Sequence, residues 1–236
     1  VYIPYILYII GNYSIKDKES VELMQIKSKD RVANHGEVFT NIREVNAMLD
    51  LVKDETHRID SRFLEPACGT GNFLIEVLRR KLEVVESRYK KSKIEFERYS
   101  ILALSSIYGI DILEDNLKEC KTRLYELFLN CYKSIFKKDI DERCLKSAKF
   151  ILDKNIIWGD ALTLLRVDGS NLPIVFSEWS AVNGSFLKRR DFTLNELLRN
   201  STSGDLGLFS DLGDEAFIPT PIKEYPLTHF LEIYND

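Results

Sequence analysis

Two glycines and two carboxylates carry the chemistry that this chain suggests. Gly69 and Gly71 lie in the stretch Phe63-Leu64-Glu65-Pro66-Ala67-Cys68-Gly69-Thr70-Gly71-Asn72-Phe73-Leu74. It reads as the end of a buried strand, a turn, and the first turn of a helix whose apolar residues recur at Ile75, Leu78 and Leu82. Glycine permits backbone angles that a side chain forbids and lets a ligand approach the main chain, while free N–H groups at a helix start face whatever binds. Such a cradle suits an anionic or polar small molecule. A Gly-x-Gly after a strand is also the mark of an ordinary tight turn, and residues further along the chain decide between the two readings.

The two carboxylates share one placement. Asp111 closes the apolar run Ile107-Tyr108-Gly109-Ile110-Asp111-Ile112, and Asp160 closes Asn155-Ile156-Ile157-Trp158-Gly159-Asp160-Ala161-Leu162. An acid at the carboxyl end of the second strand of a doubly wound sheet can accept both hydroxyls of a ribose. The separation from Gly71 to Asp111 is twice the roughly 20 residues usual for that acid, so an additional helix is expected between them. An isolated Asp at a strand end is otherwise a cap or turn residue; the glycine turn upstream favours the ribose reading.

The elements that must position these residues alternate. Helical periodicity predicts helices from Asn72 to about Arg88, Lys93 to Ser105, Asn116 to Phe136, and Asp141 to Leu152. Strand and helix alternation demands an α/β fold with a parallel sheet, right-handed crossovers and a ligand crevice outside the strands' carboxyl ends. An N-terminal helical segment precedes it: after His35-Gly36-Glu37-Val38-Phe39-Thr40 come Val45, Met48, Leu49 and Val52 at helical spacing. Thr40 or Asn41 is the expected N-cap, and Glu44 completes a capping box with Asn41.

The last third changes character. Leu172 to Trp179 and Ser185 to Arg190 read as a β-hairpin around the two-residue signal Asn183-Gly184. A short helix, Leu194 to Leu198, then a Ser/Gly-rich linker at 200–204 and an extended tail with Pro219, Pro221 and Pro226 are expected after it.

Composition narrows the classes. With 44% hydrophobic and 30% charged residues over 236, the chain can bury a core. Its formal net charge of −4 argues against clamping nucleic acid unaided. Of the basic clusters Arg79-Arg80-Lys81, Lys90-Lys91 and Lys188-Arg189-Arg190, the first two read best as solvated faces. Cys68, Cys120, Cys131 and Cys144 have neither metal-site nor disulfide-framework spacing, so a reducing, cytoplasmic setting and no metal are expected. Cys120 and Cys131 fall in a stripe with Leu117, Leu124 and Leu127, the core face of one helix. Val1 to Ile10 is apolar but far short of the about 20 residues that span a bilayer, so no membrane segment is expected. Neither a signal peptide nor an initiator Met is recognisable there, and the order of residues 1–27 is left open.

Together these blocks resemble the amino-type, N6-adenine-specific DNA methyltransferases of restriction-modification systems. Residues 63–74 look like that family's first motif, which holds S-adenosylmethionine, and residues 35–40 like its amino-terminal motif. The resemblance implies a Rossmann-like methyltransferase domain over residues 28–165, with a hairpin and proline-containing extension over 166–236 that packs on it or on a partner. It implies that Phe39 and Thr40 border the methionine end of the cofactor, and that Glu65, Pro66, Ala67, Cys68, Gly69, Gly71, Asn72 and Phe73 wrap it. Asp111 would then bind the ribose, Ile112 would pack on the adenine, and Asp160 with Ala161 would receive the adenine amino group.

Two departures qualify the resemblance. Asn41 stands where the family has Pro. More consequentially, the family's catalytic Asn/Asp/Ser-Pro-Pro-aromatic tetrad is absent: the six prolines are all isolated. Methylating an exocyclic amine, whose lone pair is delocalised into the ring, needs oxygen acceptors to align it and an aromatic to stack the flipped base. Ser177-Glu178-Trp179 offers an acceptor and an aromatic but no rigid turn, and a buried hairpin strand is its expected role. The catalytic residues are therefore unassigned. The expected function is a cofactor-binding DNA-modification subunit that needs a protein partner for catalysis and DNA target recognition. The competing expectations are a catalytically silent interaction module and a methyltransferase acting on another substrate.

Overall fold

The computed structural model describes Arg31, residues 40–202 and residues 219–236. Three strands, β1 (Phe63–Glu65), β2 (Ile107–Asp111) and β3 (Ile156–Asp160), lie parallel in that order. The register pairs Glu65 with Gly109 and Asp111 with Trp158, which brings the carboxyl ends to a common edge. β4 (Leu165–Arg166) turns back antiparallel on β3, a reversal that strand-helix alternation alone does not foretell.

Each parallel crossover carries two helices. Between β1 and β2 come α3 (Asn72–Tyr89) and α4 (Lys93–Ser105); between β2 and β3 come α5 (Glu114–Phe136) and α6 (Glu142–Asn155). The doubled crossover accounts for the long separation of Gly71 from Asp111. Leu74, Leu78, Leu82 and Val85 form the buried stripe of α3. That of α5 runs Leu117, Cys120, Leu124, Phe128, Tyr132. The α5 stripe therefore departs from the expected one after Leu124, leaving Leu127 and Cys131 only partly buried.

Ahead of the sheet lie α1 (Ile42–Asp50) and the single-turn α2 (Lys53–Thr56). Asn41 caps α1: its side chain accepts from the Arg43 N–H at 2.9 Å, and Glu44 reaches back to its N–H, closing the capping box. Under the amino end of β1, Lys81 of α3 is fully buried and donates to the carbonyls of Ile59 (3.2 Å) and Ser61 and to the Ser106 hydroxyl.

A second sheet covers the other face. β5 (Val175–Val182) and β6 (Phe186–Thr193) form the hairpin, and α7 (Leu194–Thr202) follows. Val182 pairs with Phe186, so the loop holds three residues, Asn183 to Ser185, rather than two. Asn183 and Gly184 both take positive φ (42° and 76°), which is why Asn-Gly turns the chain there. α7 extends through residues expected in a linker. Phe176 meets Tyr108 edge-on at 5.3 Å, and the Tyr108 hydroxyl donates to the Ser177 carbonyl at 3.1 Å, locking β5 to the parallel sheet. The tail adds β7 (Lys223–Glu224) and β8 (Thr228–His229), both antiparallel to β6. Among the described residues no helix is long and apolar enough to cross a membrane.

Candidate functional site

The glycine turn is built around its two flexible positions. Gly69 (φ 50°) and Gly71 (φ 89°) both take left-handed conformations, and Gly71 is the N-cap of α3. A Cβ at Gly71 would lie 2.6 Å from the Cys120 sulfur, so α5 packs where only a hydrogen fits. Gly109 on β2 is crowded too, though less severely: a Cβ there would lie 2.9 Å from the tip of Leu74 and 3.1 Å from the Cys68 sulfur. The Cys68 N–H donates to the Ile110 carbonyl and the Gly71 N–H to the Cys68 carbonyl, each at 2.8 Å. The turn is thus hung from β2.

Asp111 supplies the brace. Its carboxylate accepts from the Gly69 N–H at 2.7 Å and the Leu113 N–H at 2.8 Å, and the residue is only 8% exposed. The strand-end acid therefore ties the end of β2 to the glycine turn, a task that its placement in the sequence does not reveal. Ile112, next along, is 49% exposed at the rim. The Trp158 indole donates to the Ile112 carbonyl at 3.0 Å and joins the β2 rim to β3. Asp160 closes a local turn, accepting from the Leu162 N–H at 2.8 Å and the Thr163 hydroxyl at 3.0 Å. Ala161 is half-buried beside it.

Burial at the end of β1 raises the Glu65 carboxyl from its ordinary 4.5 to about 7, partly offset by a hydrogen bond from the Ala67 backbone. Glu65 thus holds or releases a proton near neutrality. The Cys68 thiol is held well above its ordinary range, first by its hydrogen bond with Cys120 and then by burial, so it is a packing residue and not a thiolate nucleophile. Pro66 is half-buried and Ala67 exposed, while Phe73 packs against the main core.

Sequence reasoning overlooked Arg123. From α5, one guanidinium nitrogen donates to the Thr70 carbonyl (2.8 Å), the Thr70 hydroxyl (3.0 Å) and the Asn72 side-chain oxygen (2.9 Å). The Asn72 amide in turn donates to the Thr40 carbonyl at 3.2 Å, placing Thr40 beside the start of α3. A signal was present: Arg123 follows Cys120 by three residues and shares its helix face. Phe39 and the four residues before it, from His35, lie outside the described residues. Arg31, ahead of that block, pairs with Asp115 at 2.7 Å and with Asn116 at 3.1 Å at the start of α5.

The structure thus gathers Thr40, Glu65, Asn72, Asp111 and Ile112 about the turn, with Asp160 and Ala161 at the adjoining strand end. It places Ser177, Glu178 and Trp179 in β5 as structural residues. Ser177 bonds Asp191 (2.7 Å), Glu178 pairs with Arg62 and Arg190, and the Trp179 indole donates to Asn155 (3.1 Å). The basic run of β6 is likewise committed, to Glu224, Asp191 and Glu178 in turn. In the Arg79-Arg80-Lys81 cluster the arginines pair with Glu76, Glu83 and Asp50. Among the described residues no cluster of His, Cys, Asp or Glu could hold a metal ion.

Over 160 residues, 65% of the chain, the sequence is 27% identical to a Methanocaldococcus jannaschii protein provisionally named a type II restriction enzyme and methyltransferase. The matching stretch is 12% of that protein's length. No family model and no solved structure matches the chain. The mixed α/β architecture, with its three parallel strands, is consistent with a Rossmann-like fold.

Proposed function

We propose that this chain forms the S-adenosylmethionine site of a DNA methyltransferase of a restriction-modification system, acting on adenine N6. The observation that carries the reading is the left-handed glycine turn braced by Asp111 at the carboxyl edge of a parallel sheet. Backbone N–H groups at the uncapped start of α3 suit the carboxylate of an amino acid moiety. Glu65, poised near neutrality, suits its ammonium, which would draw the carboxyl back to the ionised form. Asp111 would take the ribose, Ile112 and Ala161 the adenine faces, and Asp160 its amino group; Phe39 and Thr40 would border the methionine end. Bound there, S-adenosylmethionine supplies an electrophilic methyl group on a sulfonium.

The residues that orient the acceptor amine and read the DNA would come from further polypeptide. Ser177, Glu178 and Trp179 are consumed by packing, and no Pro-Pro pair occurs in the sequence. That same observation supports a second reading, a methyltransferase-like module that binds cofactor and organises a restriction complex without transferring a methyl. Calorimetric titration of S-adenosylmethionine tests the cofactor site. Micromolar binding is expected, weakened roughly tenfold or more in Asp111→Asn through loss of charge-assisted bonds; a folded chain that binds nothing contradicts the proposal. Methyl transfer to DNA by the isolated chain would eliminate the silent module.

A further inference from the structure

The geometry points to Arg123 as the positioning residue of the cofactor turn, acting through Thr70 and Asn72 without touching the ligand itself. The inference rests on the S-adenosylmethionine reading of that turn and names the group that holds it in its binding shape.

A turn with glycine at two of three successive positions has many backbone conformations available, and fixing one of them costs entropy that a ligand must otherwise supply. Thr70 is the residue between the glycines, 5% exposed, and Arg123 seizes it by both its carbonyl and its hydroxyl. The same nitrogen also fixes Asn72, whose amide holds the Thr40 carbonyl. One cation on α5 therefore links the turn, the first residue of α3 and the strand of chain leading into α1. Arg123 does not serve α3 as a helix charge. It stands at the positive end of the helix dipole, where a cation is unfavourable, and the first turn of α3 has no acidic residue to offset it. Its contribution lies in fixing the turn. A preorganised turn then presents its free N–H groups to the ligand without further ordering.

The test compares the wild-type chain with Arg123→Met and Arg123→Lys. Hydrogen exchange is followed in the cofactor-free chain over the peptide from Cys68 to Leu74, and S-adenosylmethionine affinity is measured by calorimetry. In Arg123→Met the turn amides exchange at least about tenfold faster while those of β5 and β6 are unchanged, and the dissociation constant rises about tenfold or more, as expected for a lost charge-assisted bond. Because all three contacts come from one nitrogen, a lysine ammonium with three donors restores most of both effects. Unchanged exchange in Arg123→Met overturns the proposal whether or not the cofactor binds. Normal affinity in Arg123→Met, with a wild-type chain that does bind, overturns it and leaves the cofactor reading standing. A lysine variant as loose as the methionine one assigns the effect to guanidinium bulk, against the proposal. A wild-type chain that binds no S-adenosylmethionine sinks the underlying reading and the positioning role with it.

Discussion

The turn at Gly69–Gly71 and the hairpin sheet both concentrate polar groups, but they satisfy them in opposite ways. In the hairpin, side chain meets side chain. Arg189 is 3% exposed and lies 3.0 Å from both Asp191 oxygens, which also bond Ser177 and Tyr225, and its guanidinium stacks on the Tyr225 ring at 3.9 Å. At the turn, side chains serve backbone: Asp111 receives N–H groups, and Arg123 donates to a carbonyl. The first arrangement is closed and supports the fold. The second fixes main-chain geometry at an edge where ligands bind in α/β sheets.

This contrast predicts that hairpin substitutions change stability without changing ligand affinity, and turn substitutions change affinity beyond any loss of stability. The largest effect is expected for Asp191→Ala. It leaves Arg189 buried without its carboxylate and should cost about 3–5 kcal/mol in chemical denaturation, with S-adenosylmethionine affinity unaltered in the molecules that remain folded.

Gly71→Ala comes next. The added methyl meets the Cys120 sulfur and forces a side chain into a left-handed conformation, for a loss of about 1–3 kcal/mol and weakened cofactor binding. Adding Cys120→Ala should recover the steric part and leave the conformational part. Complete recovery would show that φ at position 71 is not the constraint.

The third effect is a pH dependence at Glu65. Its folded value, about 7, exceeds the ordinary 4.5, so the folded state binds more protons across that window. Its contribution to stability is complete below about pH 4.5, falls as pH rises towards 7 and then levels off. Thermal midpoints of Glu65→Gln relative to wild type should therefore rise between pH 5 and 8; a constant difference would place Glu65 in solvent.

Much of this was legible in the sequence, and the failures have physical causes. Strong periodicity marked α3 and α4 almost to the residue, and Asn41 with Glu44 announced the α1 cap. The strand-end acids Asp111 and Asp160 were visible because buried strands are apolar runs with a polar terminus. The two-residue β4 was invisible, since so short a strand has no periodicity. The hairpin loop was misjudged by one residue, because Asn-Gly fixes where the chain turns but not where pairing resumes. Glycines at 69 and 71 declared a turn, yet the reason for Gly71, the Cys120 sulfur on a distant helix, depends on tertiary packing. Arg123 and the double duty of Asp111 depend on tertiary packing in the same way: Arg123 meets Thr70 and Asn72 some fifty positions away in sequence, and Asp111 meets the Gly69 N–H across the sheet edge.

The central claim is that the edge bearing Gly69 and Gly71, and not the hairpin, receives S-adenosylmethionine. Amide chemical-shift mapping by NMR during titration tests it most directly. Saturable shifts are expected at Gly69, Thr70, Gly71, Asn72 and Ile112, with β5 and β6 silent. Shifts confined to the hairpin, or none at saturating ligand, would contradict it.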